Sequence, residues 1–138
     1  MPTVLFLCPD HAVASRLAEA LFSADAPRGW GATSAAIGGA APADPRVGSA
    51  LRAMGLTPPG IEPRVWDSAL VSFSKVVVVV VEPEDLPGPL AAAATFRWRR
   101  EDPRGLTGRP LLEWIEAMRA PVHALSEYCR ERTPRMLG

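Results

Sequence analysis

The chain has 138 residues, with 15 basic and 15 acidic side chains and a formal net charge of zero. Its length predicts one domain, residues 1–138, that can bury a sizeable core. The zero net charge gives no electrostatic bias toward nucleic acid or an anionic membrane, and no apolar run is long enough for a membrane span or a secretory signal. We therefore expect a cytoplasmic protein that binds neither nucleic acid nor membrane.

The two cysteines, Cys8 and Cys129, stand 121 positions apart. Such a pair forms neither a disulfide framework nor a cluster of metal ligands. Free thiols are expected, and the sequence indicates no metal and no other cofactor. Cys129 lies in a helical pattern, where packing is its expected role.

The first part of the chain alternates strand and helix patterns. The apolar run Val4–Leu7 predicts a short buried strand, and Ser15 is the predicted N-cap of an amphipathic helix. Ala32–Ile37 predicts a second strand. The pair Asp44 and Pro45 then supplies the cap and the first position of another helix.

The remaining elements continue this alternation. Glu62–Phe73 has apolar residues on one side of a predicted helix, and Lys75–Val81 contains six consecutive valines, which is typical of a strand buried on both faces. Glu82–Pro89 is a proline-rich loop, Thr95–Trp98 the last strand, and Leu111–Arg130 a closing helix. The order predicts an α/β fold with three layers, in which helices flank a parallel sheet of about four strands.

The segment after the first strand is the candidate functional site. Cys8 ends the strand, and a strand followed by a short loop and a helix N-terminus is the usual way to build an anion site from backbone amides. The residues predicted to form this ligand-binding loop are Pro9, Asp10, His11, Ala12, Val13, Ala14 and Arg16.

This segment resembles the low-molecular-weight protein tyrosine phosphatase family, which includes the thioredoxin-coupled arsenate reductases. The resemblance rests on Val4–Cys8, on Ser15 seven positions after the cysteine, and on Leu17–Phe22. It continues in the valine strand and in Trp98, which Asp102 follows four positions later in an Asp-Pro pair. The similarity covers nearly the whole chain and implies the α/β fold of that family.

The resemblance also implies roles for three residues and a loss at a fourth. The family's loop reads Cys-x5-Arg-Ser/Thr, so Cys8 corresponds to the nucleophile, Ser15 to its hydroxyl partner and Asp102 to the general acid. Ala14 stands where the family has its phosphate-binding arginine. The phosphate-binding loop is therefore degenerate.

Two further departures weaken the loop as an anion site. Pro9 has no N–H to contribute, and Asp10 places a negative charge where a phosphate dianion would bind. Two like charges about 4 Å apart cost roughly 4 kcal/mol at an effective dielectric near 20, and losing one preorganised donor costs roughly a hundred- to a thousandfold in rate. The sequence predicts a catalytically impaired protein that acts as a binding or regulatory module, with an anionic small molecule or a protein as its partner.

An active cysteine-dependent phosphomonoesterase is the main alternative, and it needs a relocated cation. Arg16 lies two positions past the family's arginine and is expected to project from a different side of the turn. The second candidate for that cation is a cluster of arginines around the predicted cleft. The other interpretation of this cluster is a solvated surface. Its members are Arg97, Arg99, Arg100, Arg104 and Arg109.

Three questions about the loop stay open in the sequence. The helix N-terminus and Ser15 would lower the pKa of Cys8 whereas Asp10 would raise it, so Cys8 is either a reactive thiolate or a small buried residue at a strand end. A thiol redox or metal-dependent protein would use Cys8, Asp10 and His11, although the resemblance implies that His11 braces the loop. Arsenate reduction would require further cysteines near Cys8, and the chain has none there. The sequence does not set the oligomeric state.

Overall fold

The structure is a computed structural model that describes residues 1–60 and 62–133. The last five positions of the predicted domain, 134–138, lie outside the described residues. The elements in chain order are β1 (Thr3–Cys8), α1 (Ala14–Asp25), β2 (Gly31–Ala36), α2 (Pro45–Ala53), α3 (Ser68–Phe73), β3 (Val76–Val79), α4 (Gly88–Ala93), β4 (Phe96–Arg97), a 3₁₀ turn (Pro103–Gly105) and α5 (Gly108–Glu131).

In the described part of the chain, one sheet has the strand order β2-β1-β3-β4, and all of its neighbouring strands are parallel. β1 lies in the middle, and Cys8 is its last residue, paired with Ala36 of β2. The parallel sheet of four strands confirms the predicted fold class. It also places Cys8 at the carboxyl edge of the sheet, where ligands bind in open α/β folds.

Helices cover both faces of the sheet. On one face Val76 and Val78 pack in a core with apolar residues of α1, α2 and α5. On the other face Val77 and Val79 pack with Leu90 of α4 and with side chains of α3. Each fully buried valine contributes about 1.5–3 kcal/mol relative to an exposed one, so the valine strand anchors both layers, as its composition predicts.

The predicted helix Glu62–Phe73 is wrong over its first half. Arg64 O accepts a hydrogen bond from Ala36 N at 2.7 Å, and Trp66 N donates to Ala36 O at 2.9 Å, so the chain is extended there and pairs with the end of β2. The helix starts only at Ser68, capped by the Asp67 carboxylate. Pairing with the sheet edge satisfies backbone groups that a helix would otherwise have satisfied internally.

Three smaller boundaries also differ from the sequence prediction. Helix α1 begins at Ala14 with Val13 in the N-cap position, so Ser15 is not the cap. A short helix, Gly88–Ala93, overlaps the end of the predicted proline-rich loop. Helix α5 begins three residues earlier than predicted, at Gly108, whose φ of +55° suits glycine. Among the described residues, no helix has the length and apolarity needed to cross a membrane.

Candidate active site

Cys8 is almost fully buried at the end of β1. Its Sγ lies 3.0 Å from the hydroxyl of Ser15, to which the thiol donates, and 3.4 Å from Ser15 N. Burial raises the pKa of the Cys8 thiol above its ordinary value, and this effect outweighs the hydrogen bonds with the side chain and backbone of Ser15, which lower it. The charge of Asp10 raises the pKa further. The structure therefore favours a protonated thiol over a reactive thiolate.

His11 has a φ of 66°, a conformation that few non-glycine residues adopt. Its Nδ1 accepts a hydrogen bond from Arg64 N at 3.1 Å, so the ring proton lies on Nε2, which donates to Ser34 Oγ at 2.8 Å. Ser34 Oγ in turn donates to a carboxylate oxygen of Glu19 at 2.5 Å. His11 thus ties the loop to β2 and, through Ser34, to helix α1.

The charge state of this chain of hydrogen bonds follows from its burial. Burial lowers the pKa of His11 to about 4, and the positive charges of Arg16 and Arg64 lower it further. Burial also raises the pKa of the Glu19 carboxyl, against the hydrogen bond from Ser34. His11 is neutral at pH 7 and cannot serve there as a cation for an anionic ligand.

Arg16 is 1% exposed and binds carbonyl oxygens of the chain itself. Its Nε donates to His11 O at 2.5 Å, and its terminal nitrogens donate to Glu62 O at 3.1 Å and to Gly60 O. One of these nitrogens also lies 3.3 Å from His11 Nδ1. Arg16 therefore joins Gly60 and Glu62 to the loop that follows Cys8, and these contacts occupy its donors.

The other residues of the predicted loop pack rather than present donors. Ala12 and Ala14 are buried, and Ala14 has only a methyl group to offer at the position of the family's arginine. Val13 is buried and its carbonyl accepts from Leu17 N at 3.0 Å. Pro9 offers its carbonyl to Gly38 N at 2.9 Å, which ties the loop to the turn after β2.

Asp10 and Asp102 lie on opposite sides of Arg104. Arg104 donates from one terminal nitrogen to Asp10 Oδ2 at 2.9 Å and from Nε to Asp102 Oδ2 at 2.7 Å. The other oxygen of Asp10 accepts from Ala12 N at 3.0 Å, within the loop itself. Arg104 is the member of the predicted arginine cluster that reaches the loop, and it reaches a carboxylate there.

Two other members of the cluster are paired elsewhere. Arg97 and Arg99 lie 2.5 Å and 3.5 Å from the same oxygen of Glu82, beyond the end of the valine strand. This arrangement agrees with the solvated-surface interpretation for Arg97 and Arg99.

Sequence reasoning missed the residues that support the site from outside the loop. Ser34 and Glu19 complete the bracing of His11, and Arg46 donates to the carbonyls of Arg104 and Leu106 while pairing with Asp44. The neighbourhood of Arg46 and Asp44 in the Asp-Pro-Arg stretch was a local signal for their pairing. The contacts of Arg46 with residues 58 and 60 positions away had no such signal.

The described residues bring together no group of three or more His, Cys, Asp or Glu side chains that could hold a metal ion. Cys8, Asp10 and His11, the trio considered from the sequence, point to different partners: the thiol to Ser15, the carboxylate to Arg104 and the imidazole to Ser34. The geometry does not support the metal hypothesis.

Several solved structures have the same fold as this chain. An arsenate reductase from Archaeoglobus fulgidus is 29% identical and superposes with a TM-score of 0.70 over 90% of this chain and 98% of its own. The YwlE arginine phosphatase from Geobacillus stearothermophilus is 17% identical with a TM-score of 0.79, over 96% of this chain and 95% of its own. A low-molecular-weight protein tyrosine phosphatase from T. tengcongensis is 18% identical with a TM-score of 0.75, over 93% and 99%.

No protein-family model matches the sequence, and no curated protein matches it. The similarity between this chain and the three structures is therefore a similarity of fold, and it extends over nearly the full length of each. It confirms the resemblance to the low-molecular-weight phosphatases and arsenate reductases that the sequence motifs indicate.

Proposed function

We propose that this protein is a low-molecular-weight phosphatase-like protein that has lost phosphatase activity and acts as a binding or regulatory module. The observation that carries the proposal is the state of Cys8, a buried thiol that donates a hydrogen bond to the Ser15 hydroxyl. In this proposal the partner is an anionic small molecule or a protein, in the cytoplasm.

Catalysis by Cys8 would require a thiolate and a site that binds an oxyanion. Each unit by which the pKa rises lowers the thiolate fraction about tenfold at a pH below that pKa, and burial raises the pKa of Cys8. The guanidinium that holds phosphoryl oxygens in the family is replaced by the methyl group of Ala14, and the nearby Arg16 binds backbone carbonyls. Both requirements are thus weakened together.

Asp102 supports the same conclusion. A general acid must donate a proton to the leaving group, whereas Asp102 accepts hydrogen bonds from the side chain of Arg104 at 2.7 Å and from its backbone N–H at 3.0 Å. The carboxylate caps the 3₁₀ turn Pro103–Gly105 in this arrangement. Its contacts are those of a structural cap and an ion-pair partner.

A phosphomonoesterase with a relocated cation remains the second candidate, and Arg104 is the observation in its favour. Its guanidinium reaches the loop at the 2.9 Å contact with Asp10. The arsenate reductase likeness supports a third activity less well, because Cys129 is buried in α5 and burial raises its pKa to about 11. A thiol in that state is a poor resolving cysteine.

The test is hydrolysis of para-nitrophenyl phosphate from about pH 4.5 to about pH 8, the range in which such enzymes use a thiolate and a general acid. The variants are Cys8→Ser, Cys129→Ser as the matched control at the other buried thiol, and the triple substitution Pro9→Thr, Asp10→Gly, Ala14→Arg. We expect no turnover by the wild type and turnover by the triple variant. Wild-type turnover that Cys8→Ser abolishes and Cys129→Ser preserves would establish the second candidate instead.

A further inference from the structure

The segment 101–106 is fastened over the loop that follows Cys8. Arg46 of α2 donates to the carbonyls of Arg104 and Leu106, and it is held in place by two nitrogens on the Asp44 carboxylate. Trp114 of α5 donates to Glu101 O at 2.8 Å. These contacts fix the backbone of the segment on both neighbouring helices and aim one side chain, that of Arg104, at the loop.

Arg104 completes this fastening with charge. Its guanidinium bonds both Asp10 on the loop and Asp102 on its own segment, so two carboxylates share one cation. The hydrogen bond with Asp10, together with the charge of Asp102, raises the pKa of Arg104. Asp10 has the further bond to Ala12 N, so its carboxylate occupies a loop amide and the guanidinium of Arg104 simultaneously.

We infer that Asp10 and Arg104 form an autoinhibitory latch, in which the carboxylate of Asp10 takes the place of an anionic ligand at the loop. An oxyanion that enters the loop must displace that carboxylate from Ala12 N and from Arg104, because two like charges cannot share these donors at close range. The inference rests on the proposed function and specifies how the site of that module is closed. The side chain of Arg104 is 56% exposed, so the ion pair is open to solvent and to competition by a ligand.

The latch predicts different effects for substitutions at Asp10 and at Arg104. Asp10→Asn retains a side-chain oxygen that can accept from Ala12 N, which preserves the turn, but it removes the negative charge that pairs with Arg104. It should therefore leave Arg104 available to an incoming anion. Adding Arg104→Ala to that variant removes the cation that an incoming anion would use. A role of Asp10 in loop structure alone predicts no dependence on Arg104.

The experiment is isothermal titration of inorganic phosphate into the wild type, Asp10→Asn, and the double variant Asp10→Asn/Arg104→Ala. Asp85→Asn and Arg28→Ala are charge-matched controls at exposed positions. We expect Asp10→Asn to bind phosphate at least roughly tenfold more tightly than the wild type, a difference of about 1.4 kcal/mol. The double variant should lose that gain, and the controls should match the wild type.

Two outcomes would overturn the latch: no gain of affinity in folded Asp10→Asn, or a gain that persists without Arg104. Circular dichroism verifies folding, and Asp10→Ser, which can make the same local bond to Ala12 N, replaces Asp10→Asn if that variant does not fold. These outcomes are independent of the proposed loss of activity. That proposal fails only if the wild type hydrolyses an aryl phosphate through Cys8, whatever the phosphate affinity of the variants.

Discussion

Arg16 Nε donates to the carbonyl oxygen of His11 at 2.5 Å, across the turn that connects Cys8 to helix α1. His11 has a positive φ in the same turn, and its imidazole bonds Ser34 on β2. His11 is therefore fixed in two ways: its carbonyl is bound by the guanidinium of Arg16, and its imidazole is bound to Ser34. The guanidinium of Arg16, two positions after Ala14, is thus part of the scaffold.

Removal of Arg16 should destabilise the fold. Arg16→Ala leaves the carbonyls of His11, Gly60 and Glu62 without this donor in a part-buried setting. A hydrogen bond to a charged group typically contributes about 1.5–3 kcal/mol, so the free energy of unfolding should fall by at least that amount. Urea unfolding followed by circular dichroism measures the change in the free energy of unfolding.

The matched variants separate charge from geometry at this position. Arg28→Ala removes an exposed arginine and should change the stability by less than about 0.5 kcal/mol. Arg16→Lys keeps the charge but lacks the planar fork that spans several carbonyls, so it should recover only part of the loss. A wild-type unfolding curve for Arg16→Lys would show that charge alone suffices.

Acid should destabilise the protein through His11. Its pKa is about 4 in the folded state against an ordinary value of 6.5, so between these values the unfolded chain binds the proton and the folded chain does not. The contribution of neutral His11 is complete above about pH 6.5 and is lost as the pH falls toward 4. At about 1.4 kcal/mol per pKa unit, the loss is about 3 kcal/mol. Urea unfolding at several pH values measures it.

Two variants assign that pH dependence to the His11 hydrogen-bond chain. His11→Asn tolerates a positive φ and does not titrate in this window, so its stability should vary less between pH 6.5 and 4. The raised pKa of Glu19 acts in the opposite direction, since it favours the folded state as the pH falls. Glu19→Gln should therefore steepen the acid loss. An unchanged slope in His11→Asn would show that the protonation of His11 does not cause the acid loss.

Both cysteines should react slowly with alkylating agents while the protein is folded. Burial raises the pKa of Cys8 and also that of Cys129, the latter to about 11, and the thiolate is the reacting form. At about pH 7.5 we expect iodoacetamide to modify Cys8 at least roughly tenfold more slowly than in urea, because each pKa unit changes the thiolate fraction about tenfold. Mass spectrometry of peptides measures each site separately. Rapid modification of native Cys8 alone would identify a reactive thiolate and contradict its assigned state.

The sequence predicts the scaffold well where one local pattern has one structural solution. A run of six valines is typical of a strand buried on both faces, and the structure has the first four, Val76–Val79, in such a strand, which ends two residues before the run does. Val65 and Trp66 fit a helical pattern but lie in an extended segment, because the end of β2 offers Ala36 as a pairing partner. That choice depends on tertiary structure, which local spacing does not encode.

The sequence indicates which residues of the loop depart from the family's motif, but it does not indicate which partners the loop residues contact. Ala14 at the arginine position and Asp10 beside it are visible in the sequence. The contact between Asp10 and Arg104 joins residues 94 positions apart. The direction of the Arg16 side chain depends on the carbonyls of Gly60 and Glu62. A local motif predicts where such residues stand in the loop, whereas their hydrogen-bond partners depend on the tertiary structure.

Arg46 should determine how firmly the 101–106 segment stays on helix α2. Arg46→Ala removes the donors to the carbonyls of Arg104 and Leu106 and leaves the Asp44 cap, which also bonds the backbone of residue 46, in place. We expect faster amide hydrogen exchange at Leu106, whose N–H bonds Pro103 O at 3.0 Å within the same segment, because local opening no longer breaks the Arg46 contacts. Arg52→Ala, an exposed arginine on the same helix, is the control and should leave that exchange rate unchanged. Equal exchange in the two variants would mean that Trp114 and Arg104 hold the segment without Arg46.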